Sequence, residues 1–104
     1  MINEDSIKLV RLITGEELLA EQVSSTPNLL TIKNPIRVMV IPNKSTPQSP
    51  TVGFAPWQEF SENTTFTLDM AHVLVIMKPI KEFRTQYINT FSKIITPQSG
   101  LILP

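Results

Sequence analysis

The apolar positions of the chain change period once. From residue 7 to residue 77 they fall in short runs rich in Val, Ile, Thr and Phe, and from residue 80 onward they recur at helical spacing. IKLVRLIT (7–14) is rich in β-branched and apolar residues and predicts a strand, with Gly15 as its turn. EELLAEQV (16–23) has some helical propensity, but the hairpin signal at Thr14–Gly15–Glu16 makes it the returning strand. LLTIK (29–33) and IRVMVI (36–41) read as one long strand interrupted at Asn34–Pro35. A bend or bulge is expected there, because proline donates no ladder hydrogen bond. PNKSTPQSP (42–50) is a polar loop, and TVGFAPW (51–57) resumes the strand pattern with Pro56 at an edge or bend. After a second polar connection, QEFSENT (58–64), the last two strands are TFTLD (65–69) and VLVIM (73–77). The corner between them carries Asp69, Met70, Ala71 and His72, where a tight turn ordinarily takes Gly or Asn.

The C-terminal third reads differently. Pro79 suits a first helical position, and Ile80, Phe83, Tyr87, Phe91 and Ile94 follow at spacings of 3, 4, 4 and 3. Lys81, Glu82, Gln86, Asn89 and Lys93 occupy the other faces. This pattern predicts an amphipathic helix over about 79–93 that packs against the strands, each buried side chain contributing roughly 1.5–3 kcal/mol before entropy. ITPQSGLILP (95–104) is expected to be an extended tail, its Leu101–Leu103 piece serving as an added edge strand or an inter-subunit contact.

Composition narrows the functional classes. At 104 residues a single domain is expected, and nine prolines against three glycines oppose a mainly helical fold. The absence of cysteine excludes disulfides, zinc–thiolate sites and thiol nucleophiles. Nine basic residues balance nine acidic ones, whereas gripping duplex DNA through its phosphates calls for a basic excess. No apolar run is long enough for a signal peptide or a membrane span, so a soluble cytoplasmic protein is expected. The one histidine has no Ser–His–Asp spacing around it, and Glu16, Glu17 and Glu21 have no second acid opposite them. With no Gly-rich phosphate loop or metal-ligand cluster either, the expectation is a protein without catalytic activity, metal or cofactor.

Several residues fit a known frame. Val10, Leu12 and Gly15 match the opening of the first Sm motif, Ala20 stands where the next small residue is Gly, and Asn28 in SSTPNLL matches the motif's Asn after a gap. The motif's Asp is missing. Leu68-Asp69-Met70-Ala71-His72-Val73-Leu74-Val75-Ile76 lies on the second motif without a gap, but Asp69–Met70 replace its Arg–Gly pair. On these residues, over about 7–76, the chain resembles the Sm-like (LSm/Hfq-type) proteins. Through the helix and the SGLILP tail it looks most like Sm-like proteins of marine cyanophage origin.

The resemblance implies a mainly β fold: a strongly bent five-stranded antiparallel barrel over about 7–78, followed by the C-terminal amphipathic helix. Sm proteins usually place their helix before the first strand, and residues 1–6 are too short for one. It also implies a ring-shaped homo-oligomer of roughly five to seven subunits that pairs its strand edges. Such a ring would bind short single-stranded RNA in the cytoplasm, that of the host for a phage protein. In the family an Asn and an Arg hold a nucleotide near the ring centre, so Asn28, otherwise an ordinary turn residue, and His72 are the candidate binding residues here, with Lys33 and Arg37 either as phosphate contacts or as part of a solvated face. Asp69 would repel a phosphate. His72 also reads as a structural corner residue, and Phe54 and Trp57 as a base-stacking platform, core or a subunit contact. The alternative is an oligomeric scaffold or phage assembly protein that keeps the fold without RNA binding.

Overall fold

The computed structural model describes residues 2–42 and 51–92. The polar loop from residue 43, the last positions of the expected helix and the 95–104 tail lie outside them. After a 3-10 turn at Glu4–Ser6 come six strands: β1 (Ile7–Leu12), β2 (Glu17–Ser25), β3 (Leu29–Ile41), β4 (Thr51–Pro56), β5 (Thr65–Asp69) and β6 (Val73–Met77). A second 3-10 turn, Met70–His72, joins β5 to β6, and the helix α1 (Lys81–Ser92) follows. All pairings are antiparallel, in the order β4-β3-β2-β1-β6, with β5 also paired to β3.

The five expected strand paths are present, the fourth in two pieces. β3 runs unbroken through 13 residues. Its second half pairs with β4 from Ile36↔Pro56 to Ile41↔Thr51, and its first half pairs with β5 from Leu29↔Asp69 to Lys33↔Thr65. β4 and β5 are thus one path along β3, interrupted by residues 57–64. The interruption faces the Asn34–Pro35 bend, where Asn34 takes a left-handed backbone (φ 51°) and its amide donates to the Thr64 carbonyl at 2.7 Å. Asparagine tolerates that conformation better than most residues because its short side chain offers local hydrogen bonds.

The bend also changes which face of the strand is apolar. Before it, Leu30 and Ile32 are fully buried in a first core with Val10, Leu12, Leu18 and Ala20, the barrel interior. After it, Ile36 and Val38 join a second cluster around Ile7, Leu19 and Tyr87. In a regular strand these four residues would share one face, so the left-handed step at Asn34 serves both cores. β2 serves both as well, with Leu18 and Ala20 inward and Leu19 outward. Register shifts between Leu19 and Glu21 and between Gln22 and Ser24 bend it around the barrel.

The second cluster is where α1 docks. Tyr87 is buried without exposed surface, and Phe83, Ile88 and Phe91 pack around it. The Tyr87 hydroxyl donates to the carbonyls of Lys33 (3.0 Å) and Asn34 (2.9 Å), fastening the helix to the bend. Burial, reinforced by the nearby Glu21 charge, pushes its phenol well above the ordinary value. The Arg84 Nε donates to Glu4 at 2.8 Å, tying the helix to the N-terminal 3-10 turn and holding that carboxyl below its usual value.

One expected core position is corrected. Ile80 precedes the helix and is 60% exposed, while its carbonyl accepts from the amides of Phe83 and Arg84. Pro79 is buried just before it. Ile80 therefore acts at the helix cap, where the backbone is not yet helical and the side chain leaves the apolar stripe. Ile88 takes the place in the core.

Candidate nucleic-acid interface

The corner after β5 is a capped 3-10 turn. Asp69 is extended, and its Oδ1 accepts the Ala71 amide at 2.9 Å, an N-cap bond made by the residue that stands where the motif has Arg. Met70 packs its side chain on the barrel interior. Its amide donates to the Asn28 carbonyl at 2.9 Å, while the His72 carbonyl accepts the Ile13 amide at 3.0 Å. Three connections therefore meet through backbone bonds: the β1–β2 turn around Ile13, the β2–β3 turn at 26–28, and the Met70–His72 corner. The first two lie at opposite ends of β2, so the corner bridges them only because β2 curls around the barrel.

Asn28 and His72, far apart in sequence, come to this one corner, and both side chains are exposed. The Asn28 amide donates to Thr26 Oγ1 at 3.3 Å, and Thr26 Oγ1 also accepts from Leu29 at 3.0 Å, so a Thr-anchored turn fixes the backbone under the Asn28 side chain. Neither side chain has a hydrogen-bond partner among the described residues.

Lys33 and Arg37 do not join them. They flank the bend in the middle of β3, Lys33 opposite Glu21 and Thr65, Arg37 opposite Leu18 and Ala55. Lys33 is exposed, its ammonium unpaired among the described residues. Arg37 lies 3.8 Å from Glu16 and 3.2 Å from the Met39 sulfur, and its Nε is buried without a partner. These are weak restraints on a guanidinium. Arg11, by contrast, is held by Glu17 at 2.7 Å. Among the described residues no cluster of His, Cys, Asp and Glu is placed to hold a metal, and no helix is long and apolar enough to cross a membrane.

The aromatic pair singled out from the sequence lies elsewhere. Phe54 meets Phe83 edge-on with centroids 5.2 Å apart, and Trp57 meets Phe66 edge-on at 5.4 Å. Both rings line a cavity of about 840 Å³ between the bend, β4, the 57–64 connection and the end of α1. Asn34, Gln86 and Thr90 also line it, and sequence reasoning gave them no role. Gln86 and Thr90 are polar positions of an amphipathic helix. Only the direction in which that helix crosses the bend brings them to a cavity wall.

Comparison with curated proteins found no match. The family model described as the Sm_like domain matches residues 9–88, from within β1 to within α1. The match runs past the 7–76 span of the two motifs and takes in most of the helix that follows them. With most of β1, all of β2 to β6 and the capped corner inside it, the chain belongs to the Sm-like family.

Proposed function

We propose that the chain forms a homo-oligomeric ring that binds short single-stranded RNA at the Asn28–His72 corner, acting in the cytoplasm and without catalytic activity. The observation that supports it best is the Met70–Asn28 backbone bond, which joins the turn carrying Asn28 to the corner that carries His72. The ring supports itself on the sheet: β4 and β5 at one edge and β6 at the other have no partner on their outer sides among the described residues. Edges of this kind ordinarily demand a covering strand, and a closed ring supplies it. Lys33 and Arg37, weakly held or unpaired, would meet phosphates of a strand that extends away from the corner.

The second reading is a non-binding scaffold or phage assembly protein, favoured by one observation. The Arg expected to stack on a base is Asp69, whose carboxylate is spent on capping its own turn and brings negative charge to the corner. The cyanophage resemblance of helix and tail fits either reading. Fluorescence anisotropy with labelled oligo-U and oligo-A, at low and moderate salt, separates the two. Micromolar or tighter binding that is abolished by His72→Ala or Asn28→Ala establishes RNA recognition. A stable ring by light scattering that binds neither oligomer establishes the scaffold.

A further inference from the structure

The cavity beside the bend lies apart from the corner: none of Asn28, Asp69 and His72 lines it. It sits between the two cores. Trp57 and Phe66, packed against the barrel interior, form one wall, and Phe54 and Phe91, packed against the Tyr87 cluster, form another. Its volume of about 840 Å³ suits a small organic ligand.

The polar lining narrows the ligand class. Four residues with side-chain amides line the cavity, Asn34, Gln58, Asn63 and Gln86, and none of those side chains has a hydrogen-bond partner among the described residues. Asn34 is the best positioned. Its backbone N–H is bound to Thr64 and its carbonyl to Tyr87, so its side chain is presented from a fixed main chain. Gln58, like Asn34, has a left-handed backbone (φ 57°), and its carbonyl accepts the Ser61 amide at 3.0 Å, which closes the turn that brings the 58–63 segment to the cavity.

Glu59 is the only charged residue among the described residues that line the cavity. An anionic group would meet that carboxylate with no cation to offset it. A wholly apolar occupant would desolvate the amides without pairing them. A planar heterocycle meets both demands: its faces stack on aromatic rings, and its edge presents donors and acceptors that match a carboxamide, which carries both.

We propose that this cavity binds a nucleobase, with aromatic rings on its faces and the Asn34 and Gln86 amides on its edge. The base comes either from a free nucleoside or from one nucleotide of a strand whose phosphates stay outside. The site does not depend on RNA binding at the corner, and it stands or falls separately.

Trp57 is the one tryptophan of the chain and lines the cavity, so its fluorescence reads occupancy directly. Adenosine and uridine should quench it saturably. Their 5′-monophosphates should bind no more tightly, because no cation is among the described residues that line the site. Gln86→Leu, at an exposed helix position where folding is not at stake, should weaken nucleoside binding about tenfold by removing one amide–base contact. His72→Ala should leave it unchanged, even where it abolishes binding at the corner. In that His72→Ala variant, oligo-A competing more strongly than adenosine assigns the site to a base within a strand, and equal competition assigns it to a free nucleoside. Absence of saturable quenching up to the solubility limit of the nucleosides overturns the proposal. So does quenching that toluene reproduces and Gln86→Leu does not alter, which would mark an apolar groove.

Discussion

At the scale of single residues, Asp69 shows how a changed motif position keeps the turn and alters its chemistry. An Arg–Gly pair can supply a cation and a flexible backbone, whereas Asp69 supplies a carboxylate that caps the 3-10 turn from within. The turn is then held by a side-chain bond instead of a permissive glycine. Asp69→Ala should therefore lower stability by about 0.5–2 kcal/mol, the usual worth of an N-cap, read as a drop in Tm or in the denaturant midpoint. If RNA binds at the corner, the same substitution removes a repulsive charge and should tighten binding at low salt while the protein is less stable. Stability and affinity moving in opposite directions would separate the capping role from an RNA-contacting one. The cap was not legible as such in the sequence. Asp69 stood out only as a residue that fails to match, because a 3-10 turn of three residues has no periodic signature.

At the scale of elements, the joint between α1 and the bend of β3 organises the molecule. Tyr87 crosses from the helix to two successive carbonyls, and the left-handed Asn34 between the two halves of β3 aims each half at a different core. Tyr87→Phe keeps the ring and its packing but leaves both carbonyls without their donor, which should cost about 1–3 kcal/mol. The pH dependence follows from the direction of the phenol shift. A phenol whose folded pKa is raised contributes stability that is complete below its unfolded pKa, about 10, and is lost as the pH climbs beyond it. The native protein should therefore lose stability steeply above about pH 10, and Tyr87→Phe should flatten that alkaline limb, as denaturant midpoints measured across the range would show.

Runs of β-prone residues, the turn signal at Gly15 and helical spacing revealed the strands, the hairpin and the helix face through Phe83, Tyr87 and Phe91, since these depend on local sequence. The face switch at Asn34 was hidden, because a left-handed step reverses the meaning of the alternation without altering the letters. Ile80 was misplaced for a related reason: spacing extends a helix across its cap, where the geometry has already changed. Of the candidate site, Asn28 and His72 were singled out by laying the chain on the two motifs, whereas the cavity by the bend was not legible, because its walls come from five segments that only the folded chain brings together.

At the scale of the whole molecule, exposed apolar residues stand at both ends of the sheet order. β6 pairs with β1 on one side only, and Leu74 and Val75 within it are 61% and 41% exposed. Val40 and Val52, paired across β3 and β4, are exposed toward the opposite end of the sheet order. An open sheet with apolar residues at both ends invites uncontrolled edge pairing unless one edge meets the other in a closed assembly. The zero net charge sharpens this need, since no long-range repulsion keeps free edges apart. A charge placed on the β6 edge tests whether closure uses it. Leu74 contributes to neither core, so Leu74→Lys should leave the monomer folded, with its circular dichroism unchanged and its Tm within a few degrees of the native monomer. Burying that ammonium against a neighbouring subunit would be costly, so light scattering should show the assembly shifted to monomers or small open species. An unchanged assembly mass for Leu74→Lys would mean that subunits meet elsewhere, and the unpaired β6 edge would then need another cover.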